Sequence, residues 1–397
     1  MILSEAKKIL TDSLSPYSYD DFFDFIVGKK PLALLQQPNE HRLLLLGQEP
    51  KATLLANFAS YAPNLTCHIH KPIVPPPEAR AVQSASEFQQ LINEYHQTGY
   101  TVRIPELQDI SAELSLFTRA LEFIIQNPVS VVCFWSQQDA RAPVHYDDVD
   151  VIVIQLVGTK RWYISEQQPK LANKWKSLAE GPPALEPYQL YDVQPGDLLY
   201  LPRGTAHTVE STSESVHLSI GFVPVTIREA IAAALDFYSD LDRPLRAGLG
   251  QRPDQLSGET GAALMHQQIR QGIEKLRHIC QSDLFLQDAL QFRQLRMVEN
   301  LAKLPAGQSG QNQLPLTLHD KVHHHPLAIA AMLSNEKITD LRFPGKQTLI
   351  HKGAEAAVRF MQNNTEFTPA QLPGELSSEV KLALVNKWLY DGFLQRK

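Results

Sequence analysis

Ala142-Pro143-Val144-His145-Tyr146-Asp147-Asp148-Val149-Asp150 leads into the apolar run Val151-Ile152-Val153-Ile154-Gln155-Leu156, and 62 residues after His145 a second segment ends Pro195-Gly196-Asp197-Leu198-Leu199-Tyr200-Leu201-Pro202-Arg203-Gly204-Thr205-Ala206-His207. His145 and Asp147 are two apart, so on an extended strand both side chains point to one face. The Pro-Gly-Asp and Pro-Arg-Gly signals bracket a short strand, and the second forms a tight loop able to deliver His207 into a barrel mouth. Two imidazoles and one carboxylate occupy one face of an octahedral metal and leave three positions open. A closed structural zinc site needs a fourth protein ligand, and no Cys or His stands at a suitable spacing for it.

Outward from these segments the chain is rich in short, β-branched and aromatic runs at 129–136, 149–156, 160–165, 188–193, 197–202, 207–211 and 215–223. Strands at that density predict an antiparallel sandwich or barrel. Upstream, residues 1 to about 30 read as helical, with Ser4 as a candidate cap and an aromatic face over Tyr19–Val27. Lys30-Pro31 breaks into a strand at Leu32–Leu35, and Leu43–Leu46 is ambiguous between strand and helix. The proline-rich stretch Pro72–Pro77 predicts a stiff loop before a helix near Ser86–Ile92, a strand at Tyr100–Ile104 and a helix at Leu114–Gln126. Downstream, Ile227–Tyr238, Gly261–Cys280 and Ser282–Leu304 are amphipathic, with no strand signal. A Gly, Gln and Pro-rich loop over 305–315 precedes a unit with a β stretch around Thr339–Lys346 and helices at 353–363, 367–374 and 376–390. His323-His324-His325 resembles a metal tract only in composition and is read as surface.

The spacing Pro195-Gly196-Asp197, four residues, Pro202-x-Gly204, two residues, His207 matches the second cupin motif at every turn-forming position. From about Val129 to Pro224 the chain resembles the JmjC-type cupin oxygenases, which depend on iron(II) and 2-oxoglutarate. The order of parts is similar to the bacterial ribosomal oxygenases, where a JmjC barrel precedes a helical dimerisation module and a winged helix. The resemblance implies an α+β chain: a double-stranded β-helix (cupin/jelly-roll) barrel with flanking helices over 1–224, a helical dimerisation module over 225–305 and a winged-helix-like domain over 315–397. It implies Fe(II) held by His145, Asp147 and His207, with 2-oxoglutarate as co-substrate. It places a basic residue at Lys160 to bind the distal carboxylate of 2-oxoglutarate, and a buried dianion requires one such cation. Lys160 and Trp162 share a face by alternation, whereas Arg161 points outward. Ser136 matches a family hydroxyl on that carboxylate, and Ser219 a polar residue near the iron-bound end. His217 shares a face with Ser219 and is read as lining the pocket without being a fourth ligand. Tyr146 and Asp148 are assigned to the face opposite the ligands, where they support the strand, and Asp150 to the ligand face.

Bulk properties narrow the function. With 43% hydrophobic and 20% charged residues the composition is that of a folded globular chain, and 397 residues suggest two or three domains. The net charge of -6 argues against a general polyanion binder. No apolar run approaches membrane-spanning length, and the N-terminus lacks a signal-peptide core. Three cysteines far apart, Cys67, Cys133 and Cys280, point to a reducing cytoplasm rather than a disulfide framework. The expected activity is hydroxylation of a protein side chain, with a ribosomal protein as the leading substrate and a homodimer as the leading assembly. A small molecule or RNA base as substrate, and a catalytically silent metal-binding scaffold, are the alternatives.

Overall fold

A computed structural model of the 397-residue chain describes residues 1–37, 39–70, 72, 74–172, 183–248, 259–304 and 315–397. Two compact units emerge, Leu3–Val223 and Met1–Ile2 with Pro224–Lys397.

The first unit opens with helices Leu3–Leu14 and Tyr19–Gly28. Ser4 lies inside the first helix. The clear cap belongs to the second, where Ser18 accepts from the Asp21 amide and the Asp21 carboxylate accepts from Ser18 N. Leu43–Leu46 resolves into the end of helix Glu40–Leu43 and a tighter turn, Leu44–Leu46. The unit holds β1 (Leu32–Leu34), β2 (Thr66–His68), β3 (Thr101–Ile104), β4 (Ser130–Ser136), β5 (Asp150–Val157), β6 (Lys160–Ser165), β7 (Tyr188–Val193), β8 (Leu198–Leu201), β9 (His207–Ser211) and β10 (Ser215–Phe222), all on expected runs except β2, which the sequence reading did not name. They form a seven-stranded sheet, β1-β8-β5-β10-β4-β3-β2, and a three-stranded sheet, β7-β6-β9. Every pairing is antiparallel.

That division puts Val151, Val153, Leu199 and Leu201 from the large sheet against Trp162, Ile164, Val193 and Val209 from the small one in a single apolar cluster. Val151, Val153, Trp162, Leu201 and Val209 of this cluster also line a cavity between the sheets. At the β5–β6 turn Gly158 has φ +65°, and a Cβ there would stand 1.9 Å from the Glu214 carbonyl oxygen. Only glycine admits so close an approach. Outside the cavity, helix Ala112–Ile125 buries Leu114, Phe117, Leu121 and Ile125 along one stripe, with Ser111 as its cap.

The second unit begins with helices Ile227–Leu241, Glu259–Ile279 and Asp283–Glu299. Its remainder holds more strand than expected: β11 (Val322–His324), β12 (Ala331–Ser334), β13 (Ile338–Phe343), β14 (Lys346–His351), β15 (Glu366–Phe367) and β16 (Leu394–Arg396). These make two three-stranded sheets, β12-β13-β14 and β15-β11-β16. Helices Glu355–Asn363 and Ser378–Tyr390 agree with expectation, whereas the helix expected over 367–374 is only the short turn Pro369–Gln371. Pro369 and Pro373 bracket too few residues for a full helix. The histidine tract is corrected as well: His324 is buried, its Nε2 lies 2.6 Å from the Met361 carbonyl, and its ring packs on Phe393. Residues 305–314 of the linker expected over 305–315, and Ile73 in the proline-rich loop, lie outside the described residues.

Candidate metal and co-substrate site

His145 precedes β5 on an irregular segment, not on a regular strand. An isolated antiparallel bridge pairs it with His207, each backbone amide donating to the other's carbonyl at 3.0 and 2.8 Å. This bridge brings residues 62 apart in sequence face to face, with ring centroids 4.3 Å apart. The Gly204 amide donates to the Asp147 carbonyl at 2.8 Å and ties the third residue to the His207 loop. Gly204 has φ +81°, and a Cβ there would meet Leu171 N at 2.7 Å.

Ligand atoms of His145, Asp147 and His207 all lie within 4.8 Å of one another. His145 Nδ1 stands 2.8 Å from the Pro143 carbonyl and His207 Nδ1 3.0 Å from the Thr205 carbonyl. A carbonyl only accepts, so each Nδ1 carries a proton, which leaves Nε2 as the nitrogen that can present a lone pair to a metal. His207 Nε2 is 3.8 Å from Asp147 Oδ2. Burial and the adjacent His145 pull the His207 imidazole down to about 4, against the opposing pull of Asp147. Two imidazoles beside a carboxylate are a donor set of a divalent transition metal, so these residues fit one.

The three donors line a cavity of about 800 Å³. On its wall, Lys160 starts β6 and is 2% exposed. Its Nζ donates to Ser136 Oγ at 2.8 Å, and Ser136 also accepts from Thr101 Oγ1 at 3.1 Å. Burial drags the Lys160 ammonium down to about 7, and no carboxylate of the described residues pairs with it. A buried cation facing a cavity without a counter-charge fits an anionic ligand. Arg161 points outward and pairs with Asp192 at 2.8 Å.

Ser219 lies on β10 and lines the same cavity, as do Ser136 and His217. Two expectations are corrected. Asp148 lines the cavity, because the segment before β5 is irregular and alternation does not apply there. Asp150 is fully buried away from the donors and accepts from Lys29 Nζ, Tyr200 Oη and Arg203 N at 3.0, 2.9 and 3.0 Å, which pins the start of β5. Sequence reading missed Thr101 and His68. Alternation along the expected strand Tyr100–Ile104 places Thr101 and Arg103 on one face, a signal that was available. His68 carries no comparable mark. Burial and the charges of Lys160, His145 and Arg103 pull its imidazole down to about 3.

The triad and the buried lysine lie inside two antiparallel sheets, and residues 110–230 match the JmjC domain family. Among known proteins the chain is similar to the ribosomal oxygenases. It is 34% identical to ribosomal oxygenase 2 of Bos taurus over 174 residues, which is 41% of this chain and 37% of that protein. To the bifunctional lysine-specific demethylase and histidyl-hydroxylase NO66 of Dictyostelium discoideum it is 28% identical over 54% of this chain and 43% of that protein. The chain thus spans less than half the length of these curated relatives. Its fold is similar to that of YcfD, a ribosomal oxygenase from Escherichia coli solved with cobalt and 2-oxoglutarate, with a TM-score of 0.54 at 17% identity, covering 95% of this chain and 98% of that one.

Proposed function

We propose that this chain is an iron(II)- and 2-oxoglutarate-dependent oxygenase that hydroxylates a protein side chain, with a ribosomal protein as the leading substrate. One observation carries the reading: a His-Asp-His facial set and a buried, uncompensated lysine share one cavity. The match of 110–230 to the JmjC domain and the ribosomal oxygenases among its relatives support it.

His145, Asp147 and His207 would hold the metal, and Lys160 with Ser136 the distal carboxylate of 2-oxoglutarate. Ser219 would lie beside the metal-bound end. When bound, iron(II) and 2-oxoglutarate supply the oxidising power: dioxygen is consumed, 2-oxoglutarate leaves as succinate and carbon dioxide, and a substrate C–H becomes C–OH. The carbonyls of Pro143 and Thr205 fix both imidazole tautomers, so the donors stay aimed without a proton competing for Nε2. The Lys160 ammonium fixes one end of the co-substrate, and the stack of Trp162 on His207, with centroids 5.7 Å apart, walls the other against water.

The second unit supports the proposed modules over 225–305 and 315–397. Helix Ile227–Leu241 exposes Ile227, Ile231 and Leu235 in one i, i+4 stripe, the pattern of a self-association face. The β13–β14 hairpin beside helices Glu355–Asn363 and Ser378–Tyr390 supports a winged-helix-like unit. No helix of the described residues is long and apolar enough to cross a membrane. Cys67, Cys133 and Cys280 are unpaired, which supports the proposed cytoplasmic location.

The test is incubation of purified protein with iron(II), 2-oxoglutarate and ribosomal proteins, followed by mass spectrometry. Succinate release with a substrate gain of one oxygen mass is expected. Iron-loaded protein that makes no succinate under any condition would favour a silent scaffold.

A further inference from the structure

His217 is an unsatisfied polar group on the cavity wall. It sits on β10 between Gln155 of β5 and Phe134 of β4 and is 3% exposed. Phe134 stacks on one face of the ring at 4.9 Å and 10°, and Trp162 meets it edge to face at 5.7 Å. The ring is therefore held and cannot swing to seek a partner. Nδ1 is buried without a hydrogen bond, and among the described residues Nε2 has none either.

A buried imidazole that bonds to nothing destabilises the fold, and a phenylalanine would stack as well without that cost. The polar atoms thus have a use outside the chain. Burial, then the nearby charges of Lys160 and His68, hold the ring well below its ordinary value, so it is a neutral donor and acceptor. Trp162 Nε1, in the ring packed against it, is likewise buried and unpartnered. Lys160 Nζ and Ser136 Oγ line the same cavity.

We propose that His217 is a further co-substrate-binding residue: its imidazole N–H donates to the distal carboxylate held by Lys160 and Ser136. That carboxylate then meets donors from three strands, β4, β6 and β10. The inference rests on the 2-oxoglutarate reading and sharpens it, because it assigns the residue's otherwise unexplained polarity to one end of one ligand.

Calorimetric titration of manganese-loaded protein with 2-oxoglutarate and with oxalate, which lacks the distal carboxylate, tests it. H217F should bind 2-oxoglutarate about tenfold or more weakly, bind oxalate as the parent does, and melt no lower than the parent without ligand. H217Q, which keeps an N–H donor, should recover part of the loss. Equal 2-oxoglutarate affinity in H217F and parent overturns the proposal, as does an equal loss for both ligands, which would mark a structural role. Should H217F not fold, H217L is judged by the same readings. A parent protein that binds oxalate but not 2-oxoglutarate would overturn the underlying reading, and this inference with it.

Discussion

Asp147 is the anionic member of the three clustered donors, and its backbone carbonyl is the anchor for the Gly204 loop. Asp147→Ala removes the carboxylate and leaves that backbone bond in place, so it separates chemistry from folding. We expect coupled turnover to fall by about 100-fold or more, since loss of one of three ligands opens the metal face, with little change in melting temperature. Succinate release at parental rates would contradict the assignment. Lys160 makes a pH prediction. Without ligand its ammonium titrates at about 7, and a bound carboxylate stabilises the charged form. Binding therefore takes up a proton above that value, and affinity for 2-oxoglutarate is full below it. It should weaken as pH rises, by up to about tenfold per unit. Lys160→Arg should flatten the profile, because guanidinium stays charged, while Lys160→Ala should weaken binding at every pH. Both are read by titration across roughly pH 6 to 9. At this scale the clustering of His145, Asp147 and His207 was legible, because it is tied to local spacing and to a turn motif. Thr101 was missed although alternation along its strand marked its face, whereas His68 reaches the cavity only through pairing of β2 with β3, which no local pattern encodes.

Among elements, the His207 loop is the one on which the site depends. Gly204 occupies a left-handed conformation with backbone atoms of Lys170 and Leu171 where a Cβ would lie. Gly204→Ala should cost about 1–3 kcal/mol of stability and lower metal affinity as well, because the loop carries both the bond to Asp147 and the approach to His207. Thermal melts with and without manganese would show this; a variant equal to the parent in both would remove the loop from the account. β4, β5, β8 and β10 were readable because they are rich in β-branched, aromatic or aliphatic residues between turn-forming ones, whereas β2, only Thr66–His68, was not. The small strands β11, β12, β15 and β16 span two to four residues. Runs that short hold no period. Val322, for example, pairs with both Phe367 and Arg396, partners that only the folded chain supplies.

For the whole molecule, the open question is what covers the outer face of helix Ile227–Leu241. Its inner face is spent: Ala234, Phe237 and Tyr238 pack against Phe285 and Ala289 of helix Asp283–Glu299. Ile227, Ile231 and Leu235 are 82, 57 and 44% exposed, and Leu264, Ile269 and Ile273 of the next helix are 48, 49 and 60% exposed. Scattered apolar residues need no explanation, but an exposed apolar row on the first helix, with Ile269 and Ile273 one turn apart on the other, does. A second copy of the chain would bury the Ile227–Ile231–Leu235 row by symmetry, since a two-fold axis presents the same patch from each side. Ile231→Glu with Leu235→Glu introduces four like charges at such an interface and none into the buried face. Sedimentation should then change from dimer to monomer at micromolar concentration, with 2-oxoglutarate binding in the Leu3–Val223 unit retained. A parent that sediments as a monomer at every concentration would leave the row to another partner, and a variant that stays dimeric would move the interface off this helix.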